Sequence, residues 1–350
     1  LVIYTRYAPI AALEDMSYKI AIIGATGLVG QKILQVLTER QVPISELYLA
    51  ASDASAGKEI TYQSQSYTLQ KVSEVLQAKP QIALFSAGSG PSLEWAPKFA
   101  AAGCWVIDNS SAWRMYDTVA LVVPEINAHT ISLNHKIIAN PNCSTIQMVM
   151  ALYNAHRTHH IARIVVSTYQ SVTGTGNRAV LQLMNERKGH YDGYKIYPHE
   201  IDLNVLPQVD IFLNDGYTKE EHKLIQETQK ILECPELAIT ATAVRVPVMG
   251  GHSESVNVQF KSSISEVELR TIISNTTGCV VFDDPQQNQY PMPITAHEND
   301  TVWVGRIRKD PSALYAFNLW IVSDNLRKGA ATNAVQIAEY LIQKKFLISN

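Results

Sequence analysis

From residue 18 to about residue 140, short apolar runs alternate with segments whose apolar residues recur at helical spacing. Tyr18-Lys19-Ile20-Ala21-Ile22-Ile23 is a β-branched run that stops at Gly24, and residues 28–40 place Val29, Ile33, Val36 and Leu37 on one stripe. This predicts a strand, a glycine turn and a helix. Further apolar runs at 47–51, 82–85 and 105–107 read as strands, with helical patterns at 72–79 and 93–102 between the last three. Parallel neighbours need crossovers, so this alternation predicts an α/β fold with a Rossmann-like, doubly wound parallel sheet. Beyond about residue 145 the strand candidates lengthen (161–169, 237–246, 255–260) and helices are spaced at 177–187, 219–232 and 265–274. That texture predicts a second, α+β domain whose sheet is mixed or antiparallel. The last segment, 328–342, begins with small residues and turns amphipathic, as expected of a helix that returns to the first domain.

Composition narrows the class without naming a function. The chain has 350 residues, enough for roughly two domains. Its 29 Lys+Arg against 32 Asp+Glu give a formal net charge of -3, which offers no electrostatic reason to expect nucleic acid or a membrane surface as partner. Cys104, Cys143, Cys234 and Cys279 form no C-x-x-C pair, so a reducing, cytoplasmic compartment is expected, with neither a disulfide framework nor a metal site. Residues 1–15 are apolar but interrupted by Arg6 and closed by Glu14-Asp15. They read as an extension outside the fold and not as a signal peptide.

Gly24-Ala25-Thr26-Gly27-Leu28-Val29-Gly30 is G-x-x-G-x-x-G between a predicted strand and a predicted helix. In that context glycines let the backbone approach a pyrophosphate, and the helix N-terminus offers amides and a positive dipole end. Discrimination between nicotinamide cofactors falls about 20 residues later, in Ala51-Ser52-Asp53-Ala54-Ser55-Ala56-Gly57-Lys58. There Asp53 suits a free ribose 2′-hydroxyl, whereas Ser52, Ser55 and Lys58 suit a 2′-phosphate.

Residues 136–139 read as a strand, Asn140-Pro141-Asn142 as a turn and 144–153 as a helix, which puts Cys143 at a helix N-terminus. Such a position lowers a thiol pKa and supplies amides to an oxyanion. The other three cysteines read as packing or surface residues. A nicotinamide site with an activated cysteine implies oxidation of an aldehyde through a thiohemiacetal to a thioester, which water or phosphate then releases.

Several motifs then occur in order: Gly-Ala-Thr-Gly-Leu-Val-Gly at 24–30, Asp-Asn-Ser-Ser-Ala-Trp-Arg at 108–114, Val-Pro-Glu-Ile-Asn at 123–127 and Asn-Pro-Asn-Cys-Ser at 140–144. Thr-Tyr-Gln-Ser-Val-Thr-Gly-Thr-Gly at 168–176, Gly-Gly-His-Ser-Glu at 250–254 and Asp-Asn-Leu-Arg-Lys-Gly-Ala-Ala at 324–331 come after them. From Met16 onward the chain resembles aspartate-β-semialdehyde dehydrogenase. The resemblance implies NADPH-dependent reductive dephosphorylation of L-4-aspartyl phosphate to L-aspartate 4-semialdehyde, in lysine, diaminopimelate, threonine and methionine biosynthesis. It also implies a nucleotide-binding domain at 16–143 plus 326–350, a catalytic and dimerisation domain at 144–325, and a homodimer, with further pairing to a homotetramer left open.

Carried over residue by residue, the resemblance makes Cys143 the nucleophile, His252 the acid/base catalyst and Gln170 the group that orients substrate. Arg114, Lys223 and Asn142 would hold the phosphate, Arg245 the α-carboxylate and Glu220 the α-ammonium. Thr173, Gly174 and Asn325 would approach the nicotinamide, beside Gly24, Thr26, Gly27, Leu28, Val29, Gly30, Ser52 and Ser55 on the rest of the cofactor. Without the motifs, Lys219-Glu220-Glu221-His222-Lys223 reads more simply as a solvated charge run, and Arg114 as a surface ion pair. One departure stands out. Ala54 occupies the place of an arginine that binds the 2′-phosphate in many members, so NADP is expected with NAD as a second cofactor. The competing readings are N-acetyl-γ-glutamyl-phosphate reductase, which has no use for Glu220 as an ammonium partner, and a non-catalytic nucleotide-sensing protein, against which the intact Cys143, Gln170, Arg245 and His252 argue.

Overall fold

Gly24 follows a strand because Tyr18–Ile23 is too apolar to sit anywhere but the middle of a sheet. In the computed structural model, which describes residues 17–347 apart from 192 and 194, this strand (β1) is buried along nearly its whole length. The extension expected at 1–15 lies outside the described residues. Contacts divide the chain into two units, one made of the residues up to Pro141 and from Ala330 on, the other of Asn142–Gly329.

The first unit holds β1, β2 (Ile44–Ala50), a hairpin of β3 (Glu59–Tyr62) and β4 (Gln65–Thr68), β5 (Ile82–Phe85), β6 (Trp105–Asp108), β7 (Ala120–Leu121) and β8 (Ile137–Ala139). Apart from the hairpin these form one sheet in the order β2-β1-β5-β6-β8-β7, with every pairing parallel. The order reverses between β1 and β5, the place where such sheets open a crevice at their carboxyl ends. Helix Leu28–Glu39 buries Ile33, Val36 and Leu37 against this sheet, and the C-terminal helix Thr332–Gln343 returns Val335, Ile337, Ala338 and Leu341 to the same core. Arg40 fastens that helix by a two-pronged ion pair to Glu339 at 2.8 and 2.7 Å.

The second unit is built on β9 (Ile161–Gln170), β10 (Ala238–Arg245), β11 (His252–Phe260), β12 (Cys279–Val281), β13 (Val302–Lys309) and β14 (Ala316–Ser323). Their order is β10-β9-β11-β14-β13-β12, with β10–β9 and β12–β13 parallel and the rest antiparallel, a mixed sheet. Strand register decides which residues of this sheet become neighbours. Arg245 lies beside Gln170, and Ser253 beside Tyr169, so the carboxyl ends of β9 and β10 and the start of β11 share one rim. Gln170, Arg245 and His252 are all buried, on the face covered by helices, while Tyr169 and Ser255 on the opposite face are exposed.

Differences from the expected elements have local causes. The helix at 93–102 starts earlier, at Ser89, because Pro91 in a first turn needs no N–H. The helix at 144–153 runs from Cys143 to His159. β13 and β14 are additional: a register break between Gly305 and Arg308 interrupts the alternation of β13, and β14 carries apolar residues on both faces, Phe317, Leu319 and Ile321 on one and Trp320 and Val322 on the other, so its sequence does not alternate. The β3–β4 turn uses Gln63 and Ser64 at positive φ (48° and 63°), without the Asn-Gly or Asp-Gly signal that would announce it.

Gly30 is buried inside its helix, where a Cβ would overlap the Gly24 carbonyl oxygen. Gly30→Ala should therefore lower the stability of the cofactor-free protein by about 1–3 kcal/mol. Urea denaturation checks this, and an unchanged midpoint and slope would contradict the packing described.

Candidate active site

Asn142-Cys143 begins the helix Cys143–His159 because Asn142 is an effective cap: its Oδ1 accepts from the backbone N–H of Ser144 at 2.9 Å and of Thr145 at 3.3 Å. The other end of the same amide donates to Glu220 Oε1 at 2.8 Å, and the Asn142 backbone N–H donates to Glu227 at 2.7 Å. Cys143 is thereby held as the first helical residue, partly accessible, where the dipole favours a thiolate.

Glu220 collects this network. Its Oε1 also accepts from Gln170 Nε2 at 3.1 Å, and its Oε2 from Lys223 Nζ at 3.1 Å. Burial raises the pKa of this carboxyl, but the Lys223 charge and the three donors outweigh it and bring the value down to about 2. The charge-run reading therefore fails for this helix (Lys219–Ile231): Glu220 and Glu221 are buried, and Glu221 serves a capping box with Thr218 while accepting from the Ala243 backbone. Lys223 sits between Glu220 and Asp210, at 2.8 Å from the latter. Gln170 reaches back to Ser144 Oγ at 3.2 Å, which ties the end of β9 to the residue after the cysteine.

Ser171 does what no sequence signal announced. Its backbone N–H donates to His252 Nδ1 at 3.0 Å and its carbonyl accepts from Arg245 Nη1 at 2.6 Å. With Nδ1 accepting, the neutral imidazole carries its proton on Nε2. His252 Nε2 and Arg245 Nε are both buried without a hydrogen-bond partner. Gly174 leaves the space beside them, since a Cβ there would stand 3.1 Å from Arg245 Nη1 and 3.2 Å from His252 Nε2. Burial first, and the Arg245 charge second, push the His252 pKa down to about 3, with Glu220 opposing. The helix Cys143–His159 also touches this strand through Gln147 Nε2, 3.3 Å from the His252 carbonyl. Two positions on, Glu254 is fully buried, and that burial raises its pKa well above the usual carboxylate range.

The sequence-derived residues of this unit thus gather at one rim: Asn142, Cys143, Gln170, Glu220, Lys223, Arg245 and His252. Thr173 and Asn325 are bonded to one another there, Thr173 Oγ1 to Asn325 Oδ1 at 3.0 Å. Serines 144 and 171, Asp210 and Glu227 join them without having been expected.

Arg114 and the glycine turn belong to the first unit. Arg114 is buried, and its Nη2 donates to the Asn109 carbonyl at 2.8 Å. The helix after the turn has Gly27 as its cap, with no side chain covering the cap and no acid in the first turn. Gly24 has φ +95°, and a Cβ on it would meet Ser86 backbone at 2.8 Å, so a glycine is required for the turn. That bare helix end fits a pyrophosphate. Ser52, Asp53 and Ala54 are exposed at the end of β2, and the Ser52 carbonyl accepts from the N–H of Ser55 and Ala56. Among the described residues no group of three or more His, Cys, Asp or Glu could hold a metal ion, and no helix is long and apolar enough to cross a membrane.

The family described as "Semialdehyde dehydrogenase, NAD binding domain" matches residues 19–134, and "Semialdehyde dehydrogenase, dimerisation domain" matches residues 151–328. The aspartate-semialdehyde dehydrogenase of Aquifex aeolicus is 50% identical over 337 residues, covering 94% of this chain and 99% of its own, and that of Legionella pneumophila is 46% identical, covering 94% and 96%. The solved structure of aspartate semialdehyde dehydrogenase II from Vibrio cholerae complexed with ASA is 42% identical, with a TM-score of 0.90 over 94% of this chain and 99% of that one. On these matches, the chain belongs to the aspartate-semialdehyde dehydrogenase family.

Proposed function

We propose that this chain converts L-4-aspartyl phosphate to L-aspartate 4-semialdehyde and phosphate, with NADP(H) as cofactor and Cys143 as the nucleophile. The pathway is that to lysine, diaminopimelate, threonine and methionine, in the cytoplasm. The observation that carries the reading is the joining of Cys143 at a helix start to Gln170, Arg245 and His252 through buried hydrogen bonds on one sheet rim.

Cys143 Sγ attacks the acyl carbon, the phosphate leaves with the electron pair of its C–O bond, and a thioester remains. Gly24, Thr26, Gly27, Leu28, Val29 and Gly30 would hold a nicotinamide nucleotide, with Ser52 and Ser55 serving its 2′-phosphate and Thr173, Gly174 and Asn325 its ring, and that group would supply the hydride that reduces the thioester carbon. His252, neutral and with its proton on Nε2, donates a hydrogen bond to the oxygen that becomes negative as the carbon turns tetrahedral. The thiolate then departs and the aldehyde forms. Arg245 presents a buried guanidinium to the α-carboxylate. Glu220 keeps the negative charge that an α-ammonium needs, and Asn142, Lys223 and Arg114 serve the phosphate. In this reading the unit around β1 binds nucleotide, the unit around β9 carries the chemistry, and two copies form a homodimer. The face of the second sheet that exposes Tyr169 and Ser255 supports that pairing, with Tyr169 and Trp320 in contact on it at 5.4 Å between ring centroids.

Phosphate-dependent reduction of NADP and NAD, run side by side with L-aspartate 4-semialdehyde and its N-acetylated glutamate counterpart, tests the assignment. Turnover with the aspartate compound is expected, falling by about 10³-fold or more in Cys143→Ser. Turnover with the acetylated compound alone would overturn it. NADP should be preferred with measurable use of NAD, and Ala54→Arg should raise the NADP:NAD ratio of kcat/KM about tenfold or more by adding a charged donor to the 2′-phosphate. An unchanged ratio would remove Ala54 from cofactor choice. For pH, the sign follows from a depressed value: His252 stays neutral until the pH falls toward about 3. The acid limb of kcat/KM should therefore show no ionisation near 6.5 that depends on His252, and one near 6.5 that vanished in His252→Asn would contradict the buried, neutral imidazole.

A further inference from the structure

β14 ends at Ser323, and the next six residues fold back on the cysteine. Asp324 is buried and accepts four donors: Oδ1 takes the backbone N–H of Leu326 at 2.8 Å and of Arg327 at 3.1 Å, and Oδ2 takes that of Glu298 at 2.8 Å and His297 Nδ1 at 3.2 Å. Its carbonyl accepts the N–H of Gly329 at 3.1 Å. Gly329 is thus bonded to the backbone carbonyl of a residue whose carboxylate is itself fixed from two segments of chain. Gly329 stands against Cys143: a Cβ placed on it would lie 2.9 Å from Cys143 Cβ and 3.3 Å from both Cys143 Cα and the Asp324 carbonyl oxygen. Its φ lies outside the left-handed region, so the close approach to the cysteine, and not backbone torsion, is what requires a glycine here.

We infer that Gly329, held by Asp324, is a positioning residue for the nucleophile: its backbone is the wall that limits where the Cys143 side chain can stand. Asp324 and Gly329 are given no contact with substrate or cofactor and act through Cys143. A side chain on residue 329 turns or shifts Cys143 Cβ, and with it the line along which the sulfur approaches an acyl carbon. Misplacement of a reacting atom on that scale costs rate without necessarily weakening binding.

The inference rests on Cys143 being the nucleophile, so its test reads the contact separately from the chemistry. A double-mutant cycle on the melting temperature of the full, cofactor-free chain uses wild type, Gly329→Ala, Cys143→Gly and the pair. Gly329→Ala is expected to lower Tm by about 3–10 °C in the wild-type background, and by much less where Cys143→Gly has removed the opposing Cβ. In Gly329→Ala that folds, kcat should fall about tenfold or more with KM for the semialdehyde little changed, and iodoacetamide should label Cys143 at an altered rate. An equal Tm loss in both backgrounds, or a kcat within twofold of wild type, would overturn the inference. If Gly329→Ala alone does not fold, folding of the pair supports it and misfolding of the pair overturns it. Turnover retained in Cys143→Ser would fail the nucleophile reading instead, while a coupled Tm would still place Gly329 against Cys143.

Discussion

The Ser171 peptide is the point on which the catalytic unit depends. Its N–H holds His252 and its carbonyl holds Arg245, so one backbone segment fixes two side chains from two other strands. This is possible because β10 runs parallel and β11 antiparallel to β9, which brings both strands to the rim where β9 ends. A one-residue slip in either register would turn Arg245 or His252 to the opposite face, the one that exposes Tyr169 and Ser255. The rim is therefore specified by the apolar alternation of the whole sheet, with Ile164, Val166, Val256 and Val258 buried on the same face.

Charge is arranged around that rim so that each group keeps one protonation state. His252 is neutral because it is buried beside Arg245, and Glu220 is ionised because Lys223, Asn142 and Gln170 satisfy it despite its burial. A buried cation next to a neutral imidazole is costly unless something answers it. The Ser171 carbonyl answers one nitrogen of Arg245, and its Nε remains buried and unanswered. That leftover demand, next to an imidazole donor that is equally unpaired, is what a substrate carrying a carboxylate and a reacting carbonyl would meet. Asn142 links the two sets of groups: one amide caps the cysteine helix and binds Glu220.

Much of this was legible in the chain because local patterns carry it. The apolar run before Gly24 and the helical stripe after it give the turn, and Asn142 before an apolar run gives the helix on which Cys143 sits. What was not legible depends on partners distant in sequence. Nothing near Glu220 says that it is buried, since the residues that bury it, Asn142 and Gln170, are 78 and 50 positions away. Ser171 acts through its backbone, which every residue has, and so leaves no trace in residue type. Gly329 reads as one small residue among others until the cysteine is seen beside it. β13 was hidden by a bulge and β14 by apolar residues on both of its faces, two circumstances in which strand alternation fails.

In the proposed reaction Cys143, presented on a helix start and backed by this rim, takes the acyl group. The most direct measurement is rapid quenching of the enzyme mixed with L-aspartate 4-semialdehyde and NADP in the absence of phosphate, followed by peptide mass spectrometry. An aspartyl thioester on the peptide that contains Cys143 is the predicted result. An unmodified Cys143 in that phosphate-free mixture, or the acyl group on Cys104, Cys234 or Cys279, would contradict it.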